Sequence, residues 1–183
     1  FKIRLDKNEK NDLFPTKFLS YIKSSLNSNH FSVYPETYKI YLEIAKKIRV
    51  NKNNILLTAG ADSGIETCFK LFTTPSSKII KIDSTFKMVD IYSKIYKTKN
   101  INIKIDKDLN INYQQFLNNI NKKISMIIFA NPNSPSGQLI NDITIKEILK
   151  KSKKYNIPVI IDEAYYEFSE YTALKYLKKF SNL

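Results

Sequence analysis

Short apolar runs alternate with longer amphipathic stretches from residue 55 onward. Each run is rich in β-branched residues and only a few residues long, which is typical of strands buried in a sheet. Because strands that alternate with helices form βαβ units, the pattern predicts an α/β fold, a three-layer αβα sandwich around a mostly parallel sheet. The predicted strands cover residues 55–57, 79–80, 101–103, 126–129 and 159–161.

Helices are predicted between these strands, and others precede and follow the alternation. Before residue 50, two stretches have apolar residues at helical spacing, after an N-terminal arm without periodicity. The sequence therefore divides into an arm with helices, residues 1–50, and a large α/β domain, residues 51–183. The predicted helices cover residues 18–26, 38–48, 63–72, 86–96, 113–120, 143–155 and 172–180.

Composition narrows the class of protein. Hydrophobic residues make up 43% of the chain, yet no apolar stretch reaches the roughly 20 residues that a membrane-spanning helix needs. Charged residues follow Phe1 at once, so no signal peptide is predicted, and we expect a soluble, cytoplasmic protein without a membrane partner. The single cysteine, Cys68, excludes an intrachain disulfide and a cysteine metal cluster, and no metal site is expected.

The net charge of +13 makes nucleic acid the first partner to consider. The lysines, however, are spread along the chain among Asn and Ile, and a local group at residues 150–154 coincides with a predicted helix end. Net charge favours solubility and electrostatic steering before it specifies a partner. We therefore expect no nucleic-acid partner, and attraction of phosphorylated or acidic small substrates is the milder consequence.

The apolar run of residues 157–161 ends in Asp162 and Glu163, and Tyr165 follows. In open parallel sheets, ligands bind at the edge where such strands end. A carboxylate at this edge is suited to pairing with the cationic ring nitrogen of pyridoxal phosphate, because that pairing keeps the ring able to act as an electron sink. Tyr165 could reach an oxygen on the same ring. The alternative is that Asp162 and Glu163 merely end a strand and begin a loop.

Two segments with glycine at predicted strand ends are further candidate ligand sites. Gly60, Ala61 and Asp62 open a helix, where unpaired backbone amides and the helix dipole attract an anion such as a phosphate. The alternative is a turn that needs glycine for its geometry alone. The loop of residues 131–137 holds two prolines and a glycine, so it is either a rigid binding loop or a stiff connection.

These segments, in this order and at this spacing, resemble the fold-type I aminotransferases, and within them the histidinol-phosphate aminotransferase group. The resemblance extends over nearly the whole chain. It rests on Leu5-Asp6-Lys7-Asn8-Glu9, Tyr34-Pro35-Glu36, Gly60-Ala61-Asp62, Asn131-Pro132-Asn133-Ser134-Pro135-Ser136-Gly137 and Asp162-Glu163-Ala164-Tyr165.

The resemblance implies that pyridoxal 5'-phosphate is the cofactor. Its phosphate is then held at Gly60, Ala61 and Asp62, while Asp162 pairs with the ring nitrogen and Tyr165 hydrogen-bonds the ring oxygen.

The resemblance also implies a partner and a place for the substrate. A homodimer with shared sites is expected, in which Tyr34 reaches the phosphate of the neighbouring subunit's cofactor. Asn8 and Glu9, in the N-terminal arm, are expected near the substrate end of the pocket.

The chain departs from the group's pattern at three places. Phe86 stands where the group usually stacks a tyrosine on the cofactor ring, so a phenyl face remains but a hydroxyl is lost. Ser134 stands where Asn is common, which leaves Asn133 or Ser134 for the ring oxygen. The Schiff-base lysine and the small C-terminal domain are expected beyond Leu183, so residues 51–183 are interpreted as a truncated cofactor-binding domain with no catalytic residue of their own.

The activity that the resemblance implies is transamination between a small amino donor and a keto acid. The leading pair is L-histidinol phosphate and 2-oxoglutarate. The alternatives are a pyridoxal-phosphate-dependent decarboxylase of an amino-acid phosphate and a non-catalytic truncated chain.

Overall fold

The structure, a computed structural model, describes residues 12–183. The chain divides into two compact units, Phe1–Ile55 and Leu56–Leu183. In the first unit the described residues are helical at both predicted stretches, and none of the helical residues there is buried. These helices are α1 (Thr16–Ser25), α2 (Asn29–Ser32) and α3 (Tyr38–Ile48).

A four-stranded parallel sheet forms the centre of the second unit, which confirms the predicted α/β class. The strands lie side by side in the order β2-β1-β3-β4, so β4 is an edge strand. Four of the five predicted apolar runs fall within them. The strands are β1 (Lys78–Ile82), β2 (Lys99–Ile103), β3 (Ile124–Ala130) and β4 (Val159–Asp162).

Helices pack on both faces of this sheet, because successive side chains of a strand point to opposite faces. Ile79 of β1 belongs to a buried cluster with residues of α4 (Gly60–Phe72) and α5 (Lys87–Ile95). Its neighbour Ile80 belongs to a larger cluster with residues of α6 (Tyr113–Asn119) and α7 (Asp142–Lys153). The two clusters make the three layers, helix, sheet and helix, that the sequence predicts.

Two predicted elements are corrected. Residues 55–57 do not form a strand of the sheet, although Ile55 has extended backbone and the segment is apolar. Leu56 is 67% exposed, so apolar character here does not reflect burial in the sheet. Residues 172–180 contain a short 3-10 helix, Ala173–Tyr176, instead of an α-helix. The Glu163 carboxylate bonds the Ala173 N–H, which fixes the start of this turn from outside the segment.

The strand register places several predicted site residues at one edge of the sheet. Asp162, the last residue of β4, lies beside Ala130, the last residue of β3. Asn131 follows Ala130 directly, and its N–H donates to the Asp162 carbonyl at 2.8 Å. The loop that follows β3 therefore begins at the carboxyl edge of the sheet, next to Asp162.

Among residues 12–183, no helix has the length and apolar character that a membrane crossing requires.

Candidate functional site

The start of α4 presents unpaired backbone donors. Gly60 has φ +76°, in the left-handed region that favours glycine, and a Cβ built on it meets no atom within 4 Å. The N-cap residue, Ala59, has no side chain that could accept a hydrogen bond, and the N–H groups of Ala61 and Asp62 have no partner within the described part of the chain. Unpaired N–H groups at the positive end of a helix attract an anion.

The side chain of Asp62 is tied to the neighbouring helix. Its Oδ1 accepts a hydrogen bond from the Tyr92 hydroxyl at 3.0 Å. Burial, and then the bond to Asp62, raise the pKa of Tyr92, so the hydroxyl stays a donor at neutral pH. The carboxylate is therefore oriented by α5, while the backbone donors of α4 stay open.

Asp162 lines a cleft of about 470 Å³ that also reaches the start of α4. Ala61 and Gly64 of α4 form part of its wall, and Leu56 and Ile160 contribute apolar surface. Asp162 is half-buried, and its Oδ1 accepts the Ala164 N–H at 3.0 Å, which turns the chain away after β4. The structure thus brings a carboxylate and the opening turn of a helix to one cleft.

The loop of residues 131–137 is held by its own asparagines. Asn131 accepts the Ile140 N–H at 2.7 Å, which closes the loop at its base. Asn133 is buried, and its Nδ2 donates to the Ser84 carbonyl and to Ser136 Oγ, both at 2.9 Å. Because its amide nitrogen is committed to these two acceptors, Ser134 is the less constrained of the two residues expected at a ring oxygen.

Three buried polar atoms near the carboxyl ends of β1 and β3 have no hydrogen-bond partner among the described residues: Thr85 Oγ1, Asn131 Nδ2 and Asn133 Oδ1. A buried polar group without a partner is costly, so such atoms mark places where a water molecule or a ligand belongs.

A second cleft, of about 360 Å³, lies between this loop and the segment after β4. Asn133 and Ser134 line one side, and Tyr165 and Phe168 line the other. The two aromatic rings contact each other with centroids 6.2 Å apart. The ring of Tyr165 and the loop side chains therefore face the same space.

Phe86 ends the turn that follows β1 and precedes α5. Lys81, a buried residue of β1, supports this turn: its Nζ donates to the carbonyls of Ile82 and Asp83, each at 3.1 Å, and pairs with Asp90 at 3.0 Å. The Asn133 bond to Ser84 joins the same turn to the loop after β3. The Phe86 side chain is 38% exposed, which leaves ring surface open to a ligand.

Three predicted site residues belong to the first unit. Tyr34 belongs to the first unit and is 94% exposed. Asn8 and Glu9 lie outside the described residues.

Glu163, the neighbour of Asp162, has a structural role, since its carboxylate accepts from Thr172 Oγ1 at 2.7 Å and from the Ala173 N–H at 2.6 Å.

Sequence reasoning missed Tyr92 and Lys81. A signal for Tyr92 existed. Tyr92 of α5 and Tyr96, which directly follows α5, have the same four-residue spacing as Asp62 and Glu66 of α4, and Tyr96 and Glu66 are also hydrogen-bonded. Lys81 gave no signal, because the sequence around a lysine in an apolar run does not indicate whether its side chain will be buried or which groups its amine will contact.

The described residues hold no group of three His, Cys, Asp or Glu side chains able to bind a metal ion.

The chain matches one known family over most of its length. Residues 2–178 match the family described as aminotransferase class I and II. A histidinol-phosphate aminotransferase of Clostridium novyi is 31% identical over 186 aligned residues, covering 100% of this chain and 51% of that protein. The chain thus spans about half the length of the curated relatives it matches.

Solved structures agree in fold. A histidinol-phosphate aminotransferase from Clostridium acetobutylicum aligns with TM-score 0.77 and 27% identity, over 91% of this chain and 49% of that one. A histidinol-phosphate aminotransferase from Sinorhizobium meliloti, solved in complex with pyridoxal-5'-phosphate, aligns with TM-score 0.72 and 14% identity, over 84% and 41% of the two chains. At that identity the second likeness concerns the fold alone.

Proposed function

The chain belongs to the aminotransferase class I and II family, and from this premise we propose that it provides the cofactor-binding part of a pyridoxal-5'-phosphate-dependent aminotransferase. The observation that carries the proposal is the cleft shared by Asp162 and the opening turn of α4. A carboxylate and a set of unpaired backbone donors at one sheet edge are the groups that a cationic ring with a phosphate requires.

The residues at this edge fit the cofactor. The N–H groups of Ala61 and Asp62 are open to a phosphate, and Asp162 supplies the negative charge for a ring nitrogen. The exposed face of Phe86 is suited to stacking on an aromatic ring. The unpartnered buried Oδ1 of Asn133 is further support, because polar atoms of this kind call for a ligand or water.

When bound, pyridoxal 5'-phosphate supplies an electron sink for the substrate's α-carbon. In our proposal, the Asp162 carboxylate keeps a proton on the ring nitrogen, because an adjacent negative charge favours the cationic form. Tyr165 and Ser134 are the donors for the ring oxygen, with Asn133 as the alternative. The first turn of α4 would hold the phosphate, and the ring of Phe86 would stack on the cofactor ring.

L-Histidinol phosphate and 2-oxoglutarate are the proposed substrate pair, supported by relatives of that name at about 30% identity. The net charge of +13 favours phosphorylated and acidic substrates of this kind. Asn8 and Glu9 are proposed at the substrate end of the pocket. We also propose a homodimer in which Tyr34, highly exposed in the single chain, reaches the partner's cofactor phosphate.

Cofactor binding tests the proposal directly. We expect the chain to bind pyridoxal 5'-phosphate in a calorimetric titration, and Asp162→Asn to weaken binding by about tenfold, the size of one charge-assisted hydrogen bond. Asp83→Asn is the matched control, since it removes an exposed carboxylate that directly follows β1, which is separated from β4 by β3, and it should leave the affinity unchanged.

Equal losses in the two variants would show that overall charge, and not the position of Asp162, governs binding. For the substrate pair, the readout is glutamate formed from 2-oxoglutarate in the presence of L-histidinol phosphate, measured in a protein that also contains the Schiff-base lysine expected beyond Leu183. Amino transfer from other donors but not from this one would overturn the proposed substrate and leave the cofactor proposal standing.

A further inference from the structure

We propose that Tyr92 is a positioning residue for the phosphate end of the cofactor site: its hydroxyl holds the Asp62 carboxylate away from the N–H groups that open α4. The inference rests on the proposed function, because it concerns the phosphate of the proposed cofactor. It assigns a role to a residue of α5 that lies 30 positions from Asp62 in the sequence.

The need for such a residue follows from the charges at this helix end. Asp62 lies in the first turn of α4, where a carboxylate is itself attracted to the unpaired backbone donors. A phosphate bound there would compete with Asp62 for the same N–H groups, and the two anions would repel each other. A carboxylate at this position therefore has to be held elsewhere if the site is to favour a phosphate.

The geometry provides that restraint. Tyr92 is 8% exposed, and its ring packs against Phe69 of α4 with centroids 6.0 Å apart, so the hydroxyl has a fixed position. The hydroxyl donates to Asp62 Oδ1 at 3.0 Å. Within the described residues, the Tyr92 hydroxyl is hydrogen-bonded to the Asp62 side chain, and the N–H groups of Ala61 and Asp62 stay unpaired.

The same two helices contain a matched control. Tyr96, one turn after Tyr92, packs against Phe69 at 5.9 Å and donates to Glu66 Oε1 at 3.2 Å. Glu66 lies one turn further from the start of α4 and is also paired with Lys70 at 2.9 Å. Tyr96→Phe thus removes an equivalent bond between the helices without releasing a carboxylate at the helix end.

The first experiment measures preference for the phosphate group. Calorimetric titrations with pyridoxal 5'-phosphate and with pyridoxal, which lacks the phosphate, give the affinity ratio for each protein. We expect Tyr92→Phe to lower this ratio about fivefold, the scale of one charge interaction at a helix end, with pyridoxal affinity unchanged. Tyr96→Phe should keep the wild-type ratio. Adding Asp62→Asn to Tyr92→Phe should restore the ratio, because the released side chain is then an uncharged amide.

The second experiment needs no cofactor. In Tyr92→Phe, the released Asp62 carboxylate should bond the first-turn N–H groups and slow their hydrogen exchange, and in Tyr96→Phe their exchange should be unchanged. If the wild-type chain fails to bind the cofactor, the proposed function is overturned, while the exchange comparison still decides the role of Tyr92. Equal affinity ratios in both single variants, or unaltered first-turn exchange in Tyr92→Phe, would overturn the positioning role.

Discussion

Asp142, in the first turn of α7, collects three donors from the C-terminal segment. Lys175 Nζ pairs with its Oδ1 at 2.7 Å, and the hydroxyls of Tyr176 and Tyr171 donate to Oδ2 and Oδ1 at 2.6 and 3.0 Å. These bonds, the Lys175 contact first, lower the pKa of Asp142 to about 2. In return, burial and then Asp142 raise the pKa of Tyr176 to about 12. The carboxylate therefore fastens the end of the chain to α7.

This arrangement predicts a pH-dependent contribution to stability. A carboxyl whose folded pKa lies below its unfolded value of about 3.9 stabilises the fold above that pH, and the effect is lost as pH falls toward 2. At pH 7, Asp142→Asn should lower the free energy of unfolding by about 1 kcal/mol, a figure reduced for solvent screening because the side chain is 42% exposed.

Urea denaturation at several pH values measures this contribution. The deficit of Asp142→Asn should shrink between about pH 4 and pH 2, as the wild-type carboxyl becomes protonated. Asp108→Asn, at an exposed turn, is the control and should match the wild type throughout. A deficit that persists unchanged at pH 2 would mean that packing, and not the charge of Asp142, is responsible.

At the site, the partners of individual side chains could not be predicted from the sequence. Asp162 and Glu163 are adjacent carboxylates, and their order on the strand indicates the sheet edge but not their partners. Both residues line the cleft, but their partners differ. The Asp162 carboxylate accepts from Ala164, two residues on, whereas the Glu163 carboxylate accepts from Thr172 and Ala173, about ten residues away in the chain. Contacts between distant segments of this kind depend on the folded path of the chain, which local pattern does not specify.

At the scale of elements, α4 contains two glycines with opposite requirements. Gly60 opens the helix with φ +76°, a conformation that side chains with a Cβ rarely adopt. Gly64 lies inside the helix, where a Cβ would meet Thr58 Oγ1 at 3.4 Å. Glycine is needed for backbone geometry at the first position, whereas at the second it costs conformational entropy.

The two positions therefore predict opposite effects of the same substitution. Gly60→Ala should lower the free energy of unfolding by about 1 kcal/mol, because alanine is strained at positive φ. Gly64→Ala should raise it by about 0.5 kcal/mol, since alanine favours a helix interior and the 3.4 Å separation from Thr58 Oγ1 is van der Waals contact. Denaturant unfolding of both variants gives the comparison, and a loss of stability at Gly64 equal to that at Gly60 would contradict it.

Most helices and strands could be predicted from the sequence, because the spacing of apolar residues indicates which side chains are buried. Residues 126–129 and 159–161 are apolar throughout and lie in parallel strands with helices on both faces. Residues 55–57 have the same character but lie outside the sheet, because a segment joins a sheet only where a neighbouring strand pairs with it. The apolar pattern thus indicates which segments can form strands, and pairing with a neighbouring strand decides which of them join the sheet.

At the scale of the whole molecule, strand order was beyond the reach of the sequence. β3 lies between β1 and β4, although β2 separates β1 from β3 along the chain. The alternation of elements fixes the class of fold, but several orders of four parallel strands satisfy it equally well. The site depends on the order, since it places the loop after β3 between the turn after β1 and Asp162.

Burial is unevenly distributed over the molecule, and this predicts where the backbone opens first. In β3, six of seven residues are buried, whereas α1 and α3 bury none. Amides in β3 should exchange hydrogen only when the sheet unfolds, and those of α3 through local opening that costs little apolar contact. We expect exchange in α3 to be faster by on the order of a hundredfold, equal to about 2.7 kcal/mol of opening free energy.

α7 is the matched control for this prediction, because its 12 residues are comparable in length to the 11 of α3, yet five of them are buried. If burial governs opening, α7 should be protected nearly as well as β3, although it is a helix like α3. Hydrogen exchange followed by mass spectrometry on peptides from the three elements decides the point. Equal protection of α3 and α7 would mean that the apolar residues of α3, such as Ile40 and Leu42, are covered in solution by a surface other than those that residues 12–183 provide in this structure.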